Sequence, residues 1–177
     1  MKSQHEKAQD LVGLHQGPCF IIPNPWDIGS ARLLAALGFP ALATTGAGYA
    51  FSRGLPDFAT GCNAMMKYLG EIAAATDLPV SADLENGFGD APETVARTIL
   101  AAAAQGVVGG SIEDATGNSD DPVYEISLAA ERIRAAAEAA KSLPFKFMLT
   151  ARAENHLYGR HDLQDTIRRL QAYQEAG

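Results

Sequence analysis

Five short apolar runs recur along the chain, and this feature restricts the fold more than any other. The runs are Cys19–Pro23, Ala41–Thr45, Val80–Leu84, Val107–Ile112 and Phe145–Thr150. Each run is nearly continuous in apolar residues instead of alternating with polar ones. That pattern predicts strands that are buried on both faces, as in a parallel sheet that is covered by helices.

Longer segments rich in Ala and Leu lie between and after these runs, with apolar residues at helical spacing. They are Asp27–Leu37, Cys62–Thr76, Pro92–Gln105, Glu125–Lys141 and Asp162–Ala176. Asp27 suits the N-cap of the first segment, and Gly38 and Gly106 suit left-handed residues at helix ends. Strand and helix therefore alternate five times, which predicts an α/β fold with parallel strands.

Two architectures have this order, a doubly wound open sheet and a (β/α)8 barrel. The first run ends in IIPNPWD without a Gly-x-Gly-x-x-Gly motif, which argues against a dinucleotide-binding open sheet. A complete barrel needs roughly 250 residues. We therefore predict a TIM-type barrel of which only the first five βα units are present. Residues 1–177 are predicted to form a single partial barrel domain of a longer protein, with residues 1–17 as a helical lead-in.

Composition excludes several classes of protein. The 177 residues carry a net charge of −7 and are 47% hydrophobic, which favours a globular fold. The longest basic cluster is Arg168-Arg169, so we expect no nucleic-acid or acidic-membrane partner. The apolar stretch Ile28–Phe51 contains an arginine, a proline and four glycines, which makes it a poor membrane span. We expect a cytoplasmic protein.

Charged residues follow the predicted strands at the point where each strand ends. Asp83 lies near the end of the third run and Glu85 follows that run in SADLENGFG, Glu113 follows the fourth run directly, and Arg152 lies two residues after the fifth. Residues two apart on a strand project the same way, and barrel chemistry gathers at the carboxyl ends of strands. We therefore expect these side chains to share one mouth.

Several carboxylates in one mouth repel each other and resist desolvation. A hard divalent cation relieves this cost, and Mg²⁺ suits best because it keeps several waters and needs only one or two direct carboxylates. The alternative interpretation is that the acids are helix N-caps and rim ion pairs. We apply that alternative to Asp90 and Asp114, and we predict a metal site at Asp83, Glu85 and Glu113.

Two sequence motifs are specific enough to indicate a family. ADLENGFG, followed about twenty residues later by GGSIED, resembles the isocitrate lyase/phosphoenolpyruvate mutase superfamily. Members carry Asp-x-Asp/Glu-x-Gly-Tyr/Phe-Gly and then Gly-x-x-Ile-Glu-Asp. NPWDIGSARLLAALGFPALATTG and TARAEN are also similar to family segments, so the resemblance covers residues 18–177.

The resemblance implies a Mg²⁺-dependent enzyme that acts on 2-oxo acids or their enolates. It implies that Asp83 is the direct metal ligand and that Glu85 and Glu113 bind largely through water. Asp57 corresponds to a further acid that faces the metal. The full-length protein is expected to form a homo-oligomer.

The resemblance also implies a substrate site. Thr45 and Gly46 match the Ser/Thr-Gly pair that holds the substrate's carboxylate and oxo group. Arg152 matches the arginine that clamps the substrate, so Asp57 and Arg152 are the candidate catalytic residues.

One loop departs from the family pattern. Lyases of the family carry Lys-Lys/Arg-Cys-Gly-His after the fourth strand, and mutases carry a loop rich in lysine. The loop Asp114–Pro122 contains no Cys, Lys or His. We expect a Mg²⁺-dependent lyase or hydrolase that cleaves a C–C bond beside a 2-oxo acid. The alternatives are C–P chemistry on a phosphoenolpyruvate-like substrate, or a non-catalytic 2-oxo-acid binder.

Overall fold

The computed structural model describes residues 1–177 and shows an α/β fold with four strands and seven helices. The strands are β1 (Leu42–Ala43), β2 (Val80–Asp83), β3 (Gly109–Glu113) and β4 (Met148–Arg152). The helices are α1 (Gln4–Leu14), α2 (Ile28–Ala36), α3 (Gly46–Ser52), α4 (Cys62–Ala75), α5 (Pro92–Ala104), α6 (Ile126–Lys141) and α7 (Leu163–Ala176).

The four strands form one parallel sheet in the order β1-β2-β3-β4, which confirms the predicted parallel α/β fold. The register pairs Asp83 with Ser111 and Glu113 with Arg152. The carboxyl ends of β2, β3 and β4 therefore meet at one edge of the sheet. This edge carries the charged residues that the sequence placed at strand ends.

The prediction of a first strand at Cys19–Pro23 is wrong. Residues Cys19–Pro23 form no strand, and the second run shortens to the two residues of β1. The backbone contact to β1 is a single bond in which the Ala43 N–H donates to Pro23 O at 3.0 Å. Proline has no N–H to donate, so Pro23 and the following Pro25 cannot extend a ladder. The segment lies beside the sheet without joining it.

Five helices lie in the five predicted helical segments, and α3 was not predicted. Asp27 caps α2 in a capping box with Ser30, as its position indicated. Gly38 and Gly106 adopt positive φ angles of 88° and 95° just after α2 and α5. The N-cap of α5 is Ala91, which makes no side-chain cap bond, so Asp90 is not a helix cap.

A core of 26 buried residues lies where the helices cover the sheet, with Leu42, Ile72, Val80 and Ile112 near its centre. Small residues let the backbones approach closely. A Cβ built on Gly109 would lie 2.9 Å from the backbone carbonyl oxygen of Met148 on the neighbouring strand. None of the helices has both the length and the apolar character that a membrane crossing requires.

Candidate active site

A cavity of about 420 Å³ opens at the carboxyl ends of the strands. Its charged lining consists of Asp57, Asp83, Glu85, Glu113 and Arg152. Its polar lining includes Asn24, Thr44, Thr45, Ser111, Thr150 and Tyr158. The structure thus brings six of the seven sequence-predicted site residues to one cavity, and the seventh, Gly46, donates its backbone N–H to Asp83.

Asp83 ends β2 and is held in place by hydrogen bonds to Gly46 and Thr44. Its Oδ2 accepts a hydrogen bond from the Gly46 N–H at 2.8 Å, at the first residue of α3. Its own N–H donates to Thr44 Oγ1 at 2.8 Å. A Cβ on Gly46 would lie 3.0 Å from Glu85 Oε1 and 3.3 Å from Asp83 Oδ2. This close approach is the reason for a glycine at position 46.

Glu85 reaches the cavity through a turn instead of a strand. β2 ends at Asp83, Leu84 is fully buried in the core, and Glu85 has a left-handed φ of 50°. The expectation that both acids face one mouth is correct, but the backbone turn produces it. Glu85 Oε1 is buried and has no hydrogen-bond partner. The pKa of Glu85 is raised to about 7. Burial is the largest cause, and the charges of Asp83 and Asp57 add to it.

Glu113 is the last residue of β3 and is 7% exposed. Burial raises the pKa of Glu113 to about 8, although the guanidinium of Arg152 opposes the shift. The acids Glu154, Asp83 and Asp57 add to the increase. At neutral pH a carboxyl group with this pKa is mostly protonated, and an added cation would favour its charged form.

Arg152 ends β4 and is shared by three carboxylates. Its guanidinium lies 2.7 Å from Glu154 Oε1, 3.1 Å from Glu113 Oε2 and 3.6 Å from Asp83 Oδ1. The side chain is still 40% exposed. Part of the guanidinium is therefore open to a ligand in the cavity.

Asp57 and Thr45 lie at the rim. Asp57 is exposed, and its Oδ1 accepts from the N–H of Phe58 at 3.0 Å. Thr45 is the N-cap of α3, and its Oγ1 accepts from the Gly48 N–H at 3.0 Å. Because the hydroxyl of Thr45 acts there as an acceptor, its hydrogen can still be donated to a ligand.

The lining fits a divalent cation that keeps part of its water shell. Four carboxylates and one guanidinium line the cavity, a formal charge of −3. The acids do not form a ready group of three or more His, Cys, Asp or Glu ligands. Mg²⁺ needs one or two direct carboxylates and does not require such a cage. The unpartnered Oε1 of Glu85 is a free oxygen ligand at this place.

Sequence reasoning missed several lining residues. Ser111 and Thr150 precede Glu113 and Arg152 by two positions on the same strands, so the two-residue period of a strand could have found them. Tyr158 lies in the loop after β4, and no local sequence pattern marks it as a lining residue.

Asp114 is not a helix cap, contrary to the prediction. It is 2% exposed and accepts hydrogen bonds from Arg169, Tyr173 and the Glu154 N–H. Its neighbour Glu113 faces the mouth, so the alternation of a strand turns Asp114 toward α7. The carboxylate of Asp90 accepts from the Tyr124 hydroxyl at 2.6 Å.

Comparisons with known proteins agree with this geometry. A family model described as phosphoenolpyruvate phosphomutase matches residues 11–177. The 2-methylisocitrate lyase of Bacillus subtilis (strain 168) is 33% identical over 189 residues, covering 99% of this chain and 58% of that enzyme. A solved structure from Burkholderia cenocepacia J2315, classed provisionally as a lyase/mutase, superposes with a TM-score of 0.96 at 60% identity. That match covers 98% of this chain and 63% of the other.

A phosphonopyruvate hydrolase solved with oxalate and Mg²⁺ superposes with a TM-score of 0.85 at 26% identity, covering 99% of this chain and 61% of that one. The chain thus spans 58–63% of the length of these three relatives. The match to the family model extends over nearly the whole chain and includes every residue of the cavity. The chain belongs to the isocitrate lyase/phosphoenolpyruvate mutase superfamily.

Proposed function

We propose that the protein is a Mg²⁺-dependent lyase or hydrolase that cleaves a C–C bond in a 2-oxo acid or related carboxylate through an enolate-like intermediate. One observation carries the proposal. The same cavity holds an unpartnered buried carboxylate oxygen, on Glu85, and an accessible guanidinium, on Arg152. The first suits a cation and the second suits a carboxylate substrate.

Asp83, Glu85 and Glu113 are the residues proposed to hold the metal. Asp83 is the proposed direct ligand, because its side chain is the most exposed of the three within the cavity. Glu85 and Glu113 are proposed to act largely through water. When bound, Mg²⁺ supplies Lewis-acid stabilisation of developing negative charge on an oxo group.

Arg152, Thr45 and Gly46 are the proposed substrate contacts. A guanidinium can hold a carboxylate by two parallel hydrogen bonds, which fixes the plane of the substrate. The Thr45 hydroxyl has a hydrogen available to donate, and Gly46 brings the start of α3 against the acids. Asp57, at the rim, is the proposed further acid that faces the metal and takes part in catalysis.

We also propose that residues 1–177 are part of a (β/α)8 barrel domain. The sequential parallel order of the strands supports it, as does the placement of all the candidate residues at the carboxyl ends. In this proposal Cys19–Pro23 occupies the place of the first barrel strand without forming a ladder.

Calorimetric titration with oxalate, in the presence and absence of Mg²⁺, tests the site, because oxalate mimics a pyruvate enolate. We expect Mg²⁺ to tighten oxalate binding, and we expect Asp83→Ala to remove that effect. Glu131→Gln, an exposed acid on α6, is the matched control and should leave binding unchanged. Oxalate binding that is indifferent to Mg²⁺ would overturn the proposed metal site.

Turnover assays on oxaloacetate, methylisocitrate and phosphonopyruvate then test the chemistry. Cleavage of either of the first two supports C–C chemistry. Cleavage of phosphonopyruvate alone would replace the proposal with C–P chemistry. Mg²⁺-dependent oxalate binding without turnover of any of the three would favour a non-catalytic binder.

A further inference from the structure

The guanidinium of Arg152 is oriented by a neighbour that does not line the cavity. Nε donates to Glu154 Oε1 at 2.7 Å, and Nη2 lies 2.7 Å from the same oxygen. The contacts to Glu113 and Asp83 are longer, at 3.1 and 3.6 Å. An arginine side chain has many rotamers, so the contact at Nε determines the plane that the guanidinium presents to the cavity.

The main chain of Glu154 is held in turn by Asp114. Its main-chain N–H donates to Asp114 Oδ1 at 2.7 Å, and its side chain is 11% exposed. The bond joins the segment that follows β4 to the residue that follows β3. The position of the Glu154 carboxylate therefore depends on Asp114.

Asp114 is fixed in turn by helix α7. Its Oδ2 accepts from the Tyr173 hydroxyl at 2.5 Å and from Arg169 Nη1 at 3.0 Å. Both donors are almost fully buried. A continuous polar chain thus runs from α7 through Asp114 and Glu154 to Arg152.

We propose that Asp114 and Glu154 are positioning residues for Arg152. A role in stability alone would be met by the contacts of Asp114 with Arg169 and Tyr173. The second carboxylate oxygen of Asp114 is instead directed at Glu154, where it links the buried framework to the guanidinium. The effect on substrate binding rests on the proposed function, whereas the ordering of Arg152 does not.

The ordering is tested by NMR of the Arg152 Nε–H, assigned by its loss in Arg152→Lys. We expect slow solvent exchange in the unsubstituted protein and exchange at least about tenfold faster in Glu154→Ala, since a backing hydrogen bond is lost. Asp114→Asn should give an intermediate rate. Glu154→Gln should restore much of the protection, because its amide oxygen can still accept from Nε.

Asp165→Asn is the matched control for damage to the network. It removes the ion pair from Asp165 Oδ2 to Arg169 Nε at 2.7 Å without touching Asp114 or Glu154. We expect the Arg152 signal of this variant to be unchanged. An Arg152 Nε–H that exchanges equally slowly in Glu154→Ala would overturn the positioning role, whatever the protein's activity.

The functional consequence is tested by oxalate titration in the presence of Mg²⁺. We expect the oxalate Kd of Glu154→Ala to rise about 10–100-fold, the usual cost of losing an outer-shell partner, with Mg²⁺ affinity in the absence of oxalate unchanged. Tighter oxalate binding would show that Glu154 merely competes for the guanidinium, and would overturn the inference. Failure of the unsubstituted protein to bind oxalate would instead count against the proposed function, while the NMR result still decides the ordering.

Discussion

Glu113 and Asp114 are adjacent acids that are almost equally buried, yet their surroundings are opposite. Glu113 faces the cavity, where its nearest cation is the shared guanidinium of Arg152, and burial raises its pKa to about 8. Asp114 faces α7 and accepts three hydrogen bonds through its two oxygens. Burial alone therefore does not separate a functional acid from a structural one. The difference is whether the surrounding protein compensates the charge.

The arginines show the same contrast between the mouth and the framework behind it. Arg152 is 40% exposed and shared among acids. Arg132 on α6 is 1% exposed and donates to the backbone carbonyls of Asn86, Gly89 and Asp90. These three carbonyls belong to the loop that follows Glu85, and Arg132 holds this loop in place. Behind the mouth, Arg132 is satisfied by hydrogen bonds to the backbone. In the mouth, Glu85 Oε1 has no hydrogen-bond partner.

Removing Asp83 should have the largest effect on function and little effect on folding. Asp83→Ala removes the proposed inner ligand from a site that has only one or two, so Mg²⁺ binding and turnover should both collapse. Asp83→Asn should be nearly as damaging, because it removes the charge. The metal-free melting temperature should stay level or rise, since the charge of Asp83 raises the pKa of both Glu85 and Glu113.

A Mg²⁺ titration and a metal-free melting curve on both variants check this prediction. The unfavourable terms are the lost bond from the Gly46 N–H to Asp83 at 2.8 Å and the lost ion pair of Asp83 with Arg152 at 3.6 Å. If those terms dominate, the melting temperature falls sharply while Mg²⁺ binding survives. Asp83 would then be a structural residue, and the comparison between mouth and framework would fail on its mouth side.

Removing Asp114 should have its largest effect on folding. Asp114→Ala leaves Arg169 buried beside an empty position, and breaking a buried pair in this way typically costs about 3–5 kcal/mol of unfolding free energy. Urea unfolding measures the loss. Glu113→Gln is the paired variant in the mouth, and it should lose no stability in the absence of metal. Equal losses for the two variants would mean that the mouth and the framework do not differ as described.

The sequence predicted what depends on local pattern. The parallel sheet follows from continuous apolar runs, five helices follow from periodicity, and the mouth follows from charges at strand ends. It missed α3, because Gly46–Ser52 is short and glycine-containing and depends on its Thr45 cap. It also missed the role of Asp114. Its partners Arg169 and Tyr173 lie 55 and 59 positions away, and only tertiary packing brings them together.

Glu85→Gln should have a smaller effect than Asp83→Ala or Asp114→Ala. Glutamine keeps an oxygen that can accept from a metal-bound water, so Mg²⁺ affinity should weaken by about 10–100-fold and not disappear. Calorimetric Mg²⁺ titration beside Asp83→Ala measures the difference. A loss as complete as that of Asp83→Ala would make Glu85 a direct ligand and would reverse the assignment of the two acids.

The last prediction is a slope of metal-free stability with pH. Burial raises the pKa of Glu85 to about 7 and that of Glu113 to about 8, from an ordinary value of 4.5. Between those limits the folded protein binds more protons than the unfolded chain, so the free energy of unfolding decreases as pH rises. This loss of unfolding free energy is absent below the ordinary carboxyl pKa of 4.5 and complete above about pH 8.

Melting curves with a chelator, from about pH 5 to about pH 9, measure this slope. The double variant Glu85→Gln/Glu113→Gln should flatten it, because neither position can then ionise. Saturating Mg²⁺ should flatten it as well in the unsubstituted protein, because a cation favours the charged carboxylates that high pH produces. A slope that is unchanged in the double variant would mean that other groups cause it. Metal-free stability that rises across this range would mean that the two mouth acids are already compensated, like Asp114.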